Sequence, residues 1–224
     1  MARRAALAGL VGDAFLSERP GHIAELARRA CAEGASLVVA VGGDGTVHET
    51  VNGLMEVEPA RRAELATVPR GTGKDFARSH GIPAQLDRAV LTARDGVART
   101  VDVGHATYVA WDGSADAAYF ANFAGAGLSG AVAARANTSS KALGGRVSFL
   151  WATTSVFMRW RNSELVVEVD GERRSGPMLE AIAANGEYLA GGMKLTPGAD
   201  PGDGLLDMIL IGDVTKRDFV RTLP

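Results

Sequence analysis

Residues Gly42-Gly43-Asp44-Gly45-Thr46 set one carboxylate among three glycines, with a hydroxyl directly behind. Ser36 to Val41 before them is an unbroken apolar, β-branched run of strand length, as expected for a strand buried on both faces of a parallel sheet. Val47, Val51, Leu54 and Met55 then recur at helical spacing, so the turn joins a strand to a helix that buries one face. Open α/β sheets bind phosphates at such turns, because outward amides and missing Cβ atoms let an anion come close. Leu65 to Pro69 repeats the pattern as a short strand followed by Gly71-Thr72-Gly73-Lys74-Asp75. Two such turns converging on one ligand would offer the Thr46 and Thr72 hydroxyls and the Asp44 charge, for Mg²⁺ or for orienting a nucleophile. That set suits a nucleoside triphosphate, whose transfer depends on positioning and electrostatics. The plain alternative for Asp44 is a solvated cap in a tight turn. The second turn is not a Walker A loop, since Val68 stands where a glycine is needed and Asp75 replaces the Ser/Thr. Lys74 reads equally as a phosphate contact or as a solvated lysine in a polar loop.

Three further groups of residues could carry chemistry. Gly125-Ala126-Gly127-Leu128-Ser129-Gly130 matches G-x-G-x-x-G, but no Asp or Glu occurs between Gly130 and Glu164 to hold a ribose, so a dinucleotide site is rejected. In the Gly/Pro-bent run 197–207, Asp200 and Asp203 could ligate a hard cation through oxygen, although a solvated acidic turn satisfies the local chemistry as well. The four histidines, His22, His48, His80 and His105, show no metal-ligand spacing, and only His48 adjoins the first glycine turn.

The elements that must position these residues divide the 224-residue chain in two. Helix signals at about 21–34, 47–56, 76–79 and from Pro83 onward alternate with the two strands, which argues for a parallel α/β layer at residues 1–97. Beyond residue 98, strands are expected at 101–103, 107–111, 118–123, 165–169, 178–184 and 205–211, with Asp-Gly turns at 112–113 and 170–171 and one helical region over 128–160. This predicts a second, mainly antiparallel β domain over 98–224.

Bulk properties exclude several classes. The net charge of −2 and the lack of Lys/Arg runs remove the electrostatic footprint of a nucleic-acid binder. Cys31 is the only cysteine; it lies in an amphipathic helix pattern and reads as an inert core thiol in a reducing compartment. The opening stretch MARRAALAGLVGDAF has a basic pair and a short apolar run, but Asp13 interrupts it, so export is not expected. The longest apolar run, Val147 to Met158, is too short to cross a bilayer.

The segments 42–55 (GGDGTVHETVNGLM), 71–78 (GTGKDFAR), 121–130, 184–199 and 197–207 together resemble the diacylglycerol kinase catalytic-domain family, most closely its bacterial soluble lipid kinases. GGDGT alone is shared with NAD kinases and 6-phosphofructokinases; three ordered motifs are more specific. The resemblance implies an α/β ATP-binding domain followed by a β-sandwich, and phosphorylation of the hydroxyl of diacylglycerol or a related lipid with ATP and Mg²⁺. It implies nucleotide contacts from Gly42, Gly43, Asp44, Gly45, Thr46, Val47, His48, Gly71, Thr72 and Gly73. Ser17, ahead of Pro20-Gly21-His22, is the loose counterpart of an upstream hydroxyl that also contacts nucleotide. A structural Mg²⁺ would be held by Asp200, Asp203 and the Leu205 carbonyl. The implied partner is a lipid at a membrane surface, with a cytoplasmic or peripheral inner-face location, no nucleic acid, and a homodimer left open. Asp44 is the expected charged catalytic residue, and the apolar stretch 147–158 with Trp151 and Trp160 could help form the lipid path.

The chain departs from the family pattern in three places. The family's opening N-P-x-S-G strand is absent, its GTGND reads GTGKD here, and its C-terminal general base would lie beyond Pro224. Asp170-Gly171-Glu172 imitates the base motif but precedes the acidic loop, so it is not assigned the role. The expectation is a kinase domain shortened at both ends. Two rivals stand beside it: an NAD kinase, whose downstream Asn-Glu pair does not occur here, and a non-catalytic nucleotide- or lipid-binding remnant.

Overall fold

The computed structural model of the chain describes residues 9–110, 112–138 and 153–215. Helix α1 (His22–Ala32) leads into strand β1 (Leu37–Gly42), helix α2 (Asp44–Met55) and strand β2 (Glu64–Pro69). β1 and β2 pair in parallel from Leu37↔Glu64 to Gly42↔Pro69. The register decides where the chemistry sits: both strands end at the same level, so the turns that follow them emerge side by side.

The pair is covered on both faces. Val39 and Val68 pack with Leu86, Ala89 and Val90 on one side, while Ala40, Val47, Val51 and Phe76 form a cluster on the other. Burial fades toward the end of β1, where Val41 is 46% exposed. Cys31 is buried among Ala27, Leu54 and Ala63, and its Sγ accepts the Ala63 N–H at 3.4 Å, as befits a core thiol. Helices α1 and α2 cross closely at Gly53, where a Cβ would press on the carbonyl and Cα of Ala24.

Helix α3 (Asp75–Ser79) follows the second glycine turn, and α4 (Leu86–Asp95) completes the layer. α4 begins three residues after Pro83, because Gln85 is held extended at ψ 129°. Beyond it, β3 (Gly104–Val109) and β4 (Ala115–Phe120) form an antiparallel hairpin. Residues 101–103 join no strand; the Asp102 N–H instead donates to the Pro201 carbonyl at 2.7 Å.

Next come β5 (Phe123–Gly127) and α5 (Leu128–Thr138), a helical stretch over 153–159, and the hairpin β6 (Ser163–Val169)–β7 (Glu172–Met178). Asp170 and Gly171, both at positive φ (52° and 82°), make the tight turn that their dipeptide signals. β7 carries no alternating apolar pattern, so periodicity did not reveal it; it is a polar strand, exposed over most of its length. β8 (Glu180–Ala184) lies between β5 and β11 (Asp207–Ile211), and β9 (Tyr188–Leu189) pairs with β10 (Met193–Lys194). The fold is thus an α/β layer with parallel strands followed by antiparallel β structure. Of the helix expected over 128–160, residues 139–152, with Trp151, lie outside the described residues, as does 216–224 of the closing segment.

Compactness groups the chain differently from a single cut near residue 98. Residues up to Phe123 associate with Asn185–Leu206, and Ala124–Ala184 associate with 207 onward. The first unit therefore holds both glycine turns and almost all of the acidic loop.

In the second unit, the G-x-G-x-x-G match serves packing. A Cβ on Gly125 would lie 2.5 Å from Ser129 Oγ and 2.9 Å from Glu180 Oε1, and one on Gly127 (φ 130°) would lie 2.6 Å from the Leu179 carbonyl. The glycines make room for Glu180, buried at 4% exposure, which accepts the Ser129 N–H (2.5 Å) and hydroxyl (2.7 Å) at the start of α5. Burial pushes the Glu180 carboxyl upward, and the two Ser129 bonds oppose that shift.

Two glycine substitutions separate close approach from mere helix weakening. Gly53→Ala forces α1 and α2 apart and destabilises by about 1–3 kcal/mol. Gly130→Ala, whose Cβ meets nothing within 4 Å in α5, stabilises by about 0.5–1 kcal/mol. Denaturant midpoints at a common m-value provide the check; equal effects of the two changes would contradict the packing account.

Candidate active site

The site is assembled from backbone first. The Gly42 carbonyl, at the end of β1, accepts the N–H groups of Arg70 (2.6 Å) and Gly71 (3.1 Å), which ties the second turn to the first. A Cβ on Gly43 would come within 3.0 Å of Gly71 Cα, and one on Gly71 would overlap Gly43 Cα outright. The two turns touch backbone to backbone, so both residues must be glycine. Gly42 is fixed by a different neighbour, because the Thr46 side chain fills the place its Cβ would take.

Gly45 has no such reason. Its Cβ would meet nothing within 4 Å, although an interior helical glycine weakens a helix by roughly 0.5–1 kcal/mol relative to alanine. The open space lies in the first turn of α2, where the Asp44 and Gly45 amides have no described acceptor and the helix dipole favours an anion. A missing side chain at the mouth of an anion-binding helix end is what a phosphate ligand requires.

Asp44 joins the two turns through its side chain. Its Oδ1 accepts the Phe76 N–H at 3.0 Å and so caps α3, while its Oδ2 lies against Gly73. A side chain at 73 would be driven into Asp44 Oδ2 and to 3.3 Å from Asp75 Oδ2, so one small residue separates two carboxylates. Asp75 is 5% exposed; its Oδ2 accepts the Gly191 N–H (2.8 Å) and its Oδ1 an Arg78 Nη1–H (3.0 Å). Arg78 Nη1 also donates to the Gly73 carbonyl at 2.5 Å. Burial, reinforced by the Asp44 charge, raises the Asp75 carboxyl above its ordinary value against the pull of Gly191 and Arg78. The roles therefore differ. Asp75 is spent on structure, whereas Asp44 keeps Oδ2 clear of any described donor, which fits a hard cation such as Mg²⁺.

The other expected residues are placed as follows. Thr72 is exposed beside Gly71. Val47 is in the core at 5% exposure, with its N–H donated to the Gly43 carbonyl (3.1 Å). His48 is exposed on α2, and the partial burial of its imidazole lowers its pKa below the ordinary value against the opposing pull of Glu49. Ser17 is exposed and donates to the Arg19 carbonyl (3.3 Å); no described hydrogen bond links it to either turn. Lys74 has left-handed backbone (φ 61°), which costs a residue with a Cβ about 1 kcal/mol.

In the acidic loop, Asp200 Oδ1 accepts the Gly202 N–H and Asp203 Oδ1 the Leu205 N–H, both at 3.0 Å, which leaves each carboxylate one oxygen. Asp102 anchors the loop, its Oδ2 accepting the Gly204 N–H at 2.7 Å. Asn185, 2% exposed, donates from Nδ2 to the carbonyls of Asp102 (2.7 Å) and Ala121 (3.2 Å) and so braces the anchor. Among the described residues no three His, Cys, Asp or Glu side chains form a metal cluster, so an ion here would take carbonyl and water oxygens beside Asp200 and Asp203. No described hydrogen bond joins this loop to the glycine turns. Sequence reasoning did not single out Asp75, Arg78, Asp102 or Asn185. The signal for Asp75 was an acid two residues after the second pair of glycines; Asp102 lies about a hundred residues from its loop and gave no local sign.

The part of the apolar stretch 147–158 that is described, 153–158, is helical. Ser155 and Val156 from it, with Arg135, Arg159 and Trp160, line an open cavity of about 400 Å³ in the second unit. No helix among the described residues is long and apolar enough to cross a membrane.

The chain is similar to known lipid kinases in sequence and in fold. The description "diacylglycerol kinase catalytic domain" matches residues 2–106, and "YegS C-terminal NAD kinase beta sandwich-like domain" matches 122–224. A diacylglycerol kinase of Bacillus subtilis (strain 168) is 29% identical over 202 residues, covering 90% of this chain and 63% of that protein. A probable lipid kinase YegS-like of Enterobacter sp. (strain 638) is 31% identical over 200 residues, covering 89% of this chain and 64% of its own length. Among solved structures, a diacylglycerol kinase from Bacillus anthracis str. Sterne superposes with a TM-score of 0.67 at 26% identity, over 92% of this chain and 63% of that one. The chain spans less than two thirds of the length of these relatives.

The Asp75 shift has a testable sign. An acid whose folded pKa is raised takes up a proton more readily folded than unfolded, so its contribution to stability rises as pH falls through the window just above the ordinary carboxylate range. Relative to Asp75→Asn, the parent protein gains stability as pH is lowered from 7 toward 4. Chemical unfolding of both proteins across that range is the check, and a difference independent of pH would contradict the buried-carboxylate assignment.

Proposed function

The chain belongs to the diacylglycerol kinase catalytic-domain family, and on that premise we propose that it transfers the γ-phosphoryl group of ATP, with Mg²⁺, to the hydroxyl of diacylglycerol or a related lipid. One observation carries the reading. Two glycine turns in backbone contact flank a carboxylate with a free oxygen, next to a helix N-terminus that has open space at Gly45. The names of the relatives, diacylglycerol kinase and lipid kinase, supply the lipid as acceptor.

In this reading the first amides of α2 and the Gly71–Gly73 turn hold the phosphate chain. Asp44 Oδ2, fixed by the Phe76 bond on the partner oxygen, is the group that would hold Mg²⁺, which when bound spreads the charge that builds on the phosphoryl oxygens. Asp75 and Arg78 lock the second turn so that little reorganisation is needed during transfer. Asp200, Asp203 and the Leu205 carbonyl are the residues that would hold a second, structural ion. The acceptor is a dispersed lipid met at a membrane surface, and we place the protein on the cytoplasmic side as a peripheral visitor.

Incubation with γ-labelled ATP, Mg²⁺ and mixed micelles of diacylglycerol is expected to yield a labelled phospholipid, and Asp44→Asn to lower the rate about 100-fold or more while the protein stays folded. Saturable ATP binding with no transfer to any lipid would support a nucleotide-binding protein without turnover instead. Full activity in Asp44→Asn would remove the site assignment.

A further inference from the structure

We propose that Lys74 is a direct phosphate ligand of the nucleotide site, supplying the cation that lets a polyanion approach the Asp44–Asp75 pair. The inference rests on the nucleotide-binding reading given above and goes beyond it by naming the residue that sets affinity for the phosphate chain.

Three observations on Lys74 converge. Its backbone is left-handed at φ 61°, and it is one of only three non-glycine residues so found among the described residues. The other two, Asp170 and Ala190, each precede a glycine in a tight turn, whereas Lys74 follows one and precedes helix α3. Glycine or asparagine would occupy this conformation at less cost, so nothing in the backbone favours lysine. Its side chain is half-buried, yet it has no described hydrogen bond or ion pair among the described residues. The neighbouring cation Arg78 is by contrast committed to Asp75 and the Gly73 carbonyl.

The third observation is position. Lys74 lies between Gly73, which both carboxylates flank, and Asp75 itself. A triphosphate entering beside Asp44 meets two carboxylates, and Coulomb repulsion opposes it unless cations stand close by. Arg78 is occupied; of the two cations of this turn without a described side-chain partner, Arg70 and Lys74, Lys74 is the one that adjoins both Gly73 and Asp75. A residue kept in an unfavourable conformation at a binding turn, with its charge unspent, fits a ligand contact better than a packing role. An ammonium serves as a mobile point charge, which suits a phosphate chain.

Three variants separate charge from backbone. Lys74→Arg keeps the charge, Lys74→Gln removes it without easing the left-handed backbone, and Lys74→Asn removes it and eases the backbone. Isothermal titration with ATP and with inorganic tripolyphosphate, at fixed Mg²⁺ and over a series of salt concentrations, is paired with thermal unfolding. Lys74→Gln and Lys74→Asn are expected to weaken both ligands about tenfold and to flatten the salt dependence, while Lys74→Arg stays near the parent. Only Lys74→Asn is expected to melt higher, by roughly 2–4 °C. Parent-like affinity in Lys74→Gln and Lys74→Asn overturns the role of Lys74 while leaving the nucleotide site intact. Failure of the parent itself to bind ATP or tripolyphosphate overturns the nucleotide reading and this inference together.

Discussion

The contact between Gly43 and Gly71 is the constraint on which the rest of the site depends. Two strands in parallel register end level with each other, and their following turns meet with no side chain between them. The Gly42 carbonyl holds the approach by accepting two amides of the second turn. Any Cβ at either contact position would separate the turns, so the sequence has to supply glycine twice, nearly thirty residues apart. With the turns together, Asp44 can reach across from the head of α2 to cap α3, and a single carboxylate ties both phosphate-binding elements into one frame.

That frame places two acids around Gly73, an arrangement with an electrostatic cost. The molecule meets it unequally. Asp75 is buried, bonded to Gly191 and Arg78, and raised in pKa, whereas Asp44 keeps an oxygen open. Environment thus gives two similar residues different work, one holding the turn and one facing a ligand. The acidic loop follows the same rule, since each of Asp200 and Asp203 uses one oxygen to shape its own turn and has the other left over.

Much of this was readable in the sequence where physics is local. The strand–glycine–helix pattern at 36–55, the repeat of that pattern at 65–75, the Asp170-Gly171 turn and the core placement of Cys31 all follow from residue type and spacing, and the fold shows them. The misses are non-local or lack apolar contrast. β7 is polar along most of its length and gave no periodicity, and the strand sought at 101–103 gives way to a backbone bond to Pro201. Asp102 and Asn185 matter through partners 80 to 100 residues away, which no window along the chain can register. The G-x-G-x-x-G match was rejected for want of a ribose acid, and the fold adds a positive reason for its glycines: clearance for the buried Glu180.

Gly45 gives the central claim its cleanest test. Gly42, Gly43, Gly71 and Gly73 are each crowded by a neighbouring protein atom, whereas Gly45 faces open space at the head of α2, which leaves room for an incoming ligand. Calorimetric titration of ATP into Gly45→Ala, with thermal unfolding alongside, isolates that point. The account predicts a protein that melts at or above the parent temperature and binds ATP at least tenfold more weakly, because a methyl group now stands where phosphate must approach. Parent-like ATP affinity in a folded Gly45→Ala protein would contradict it.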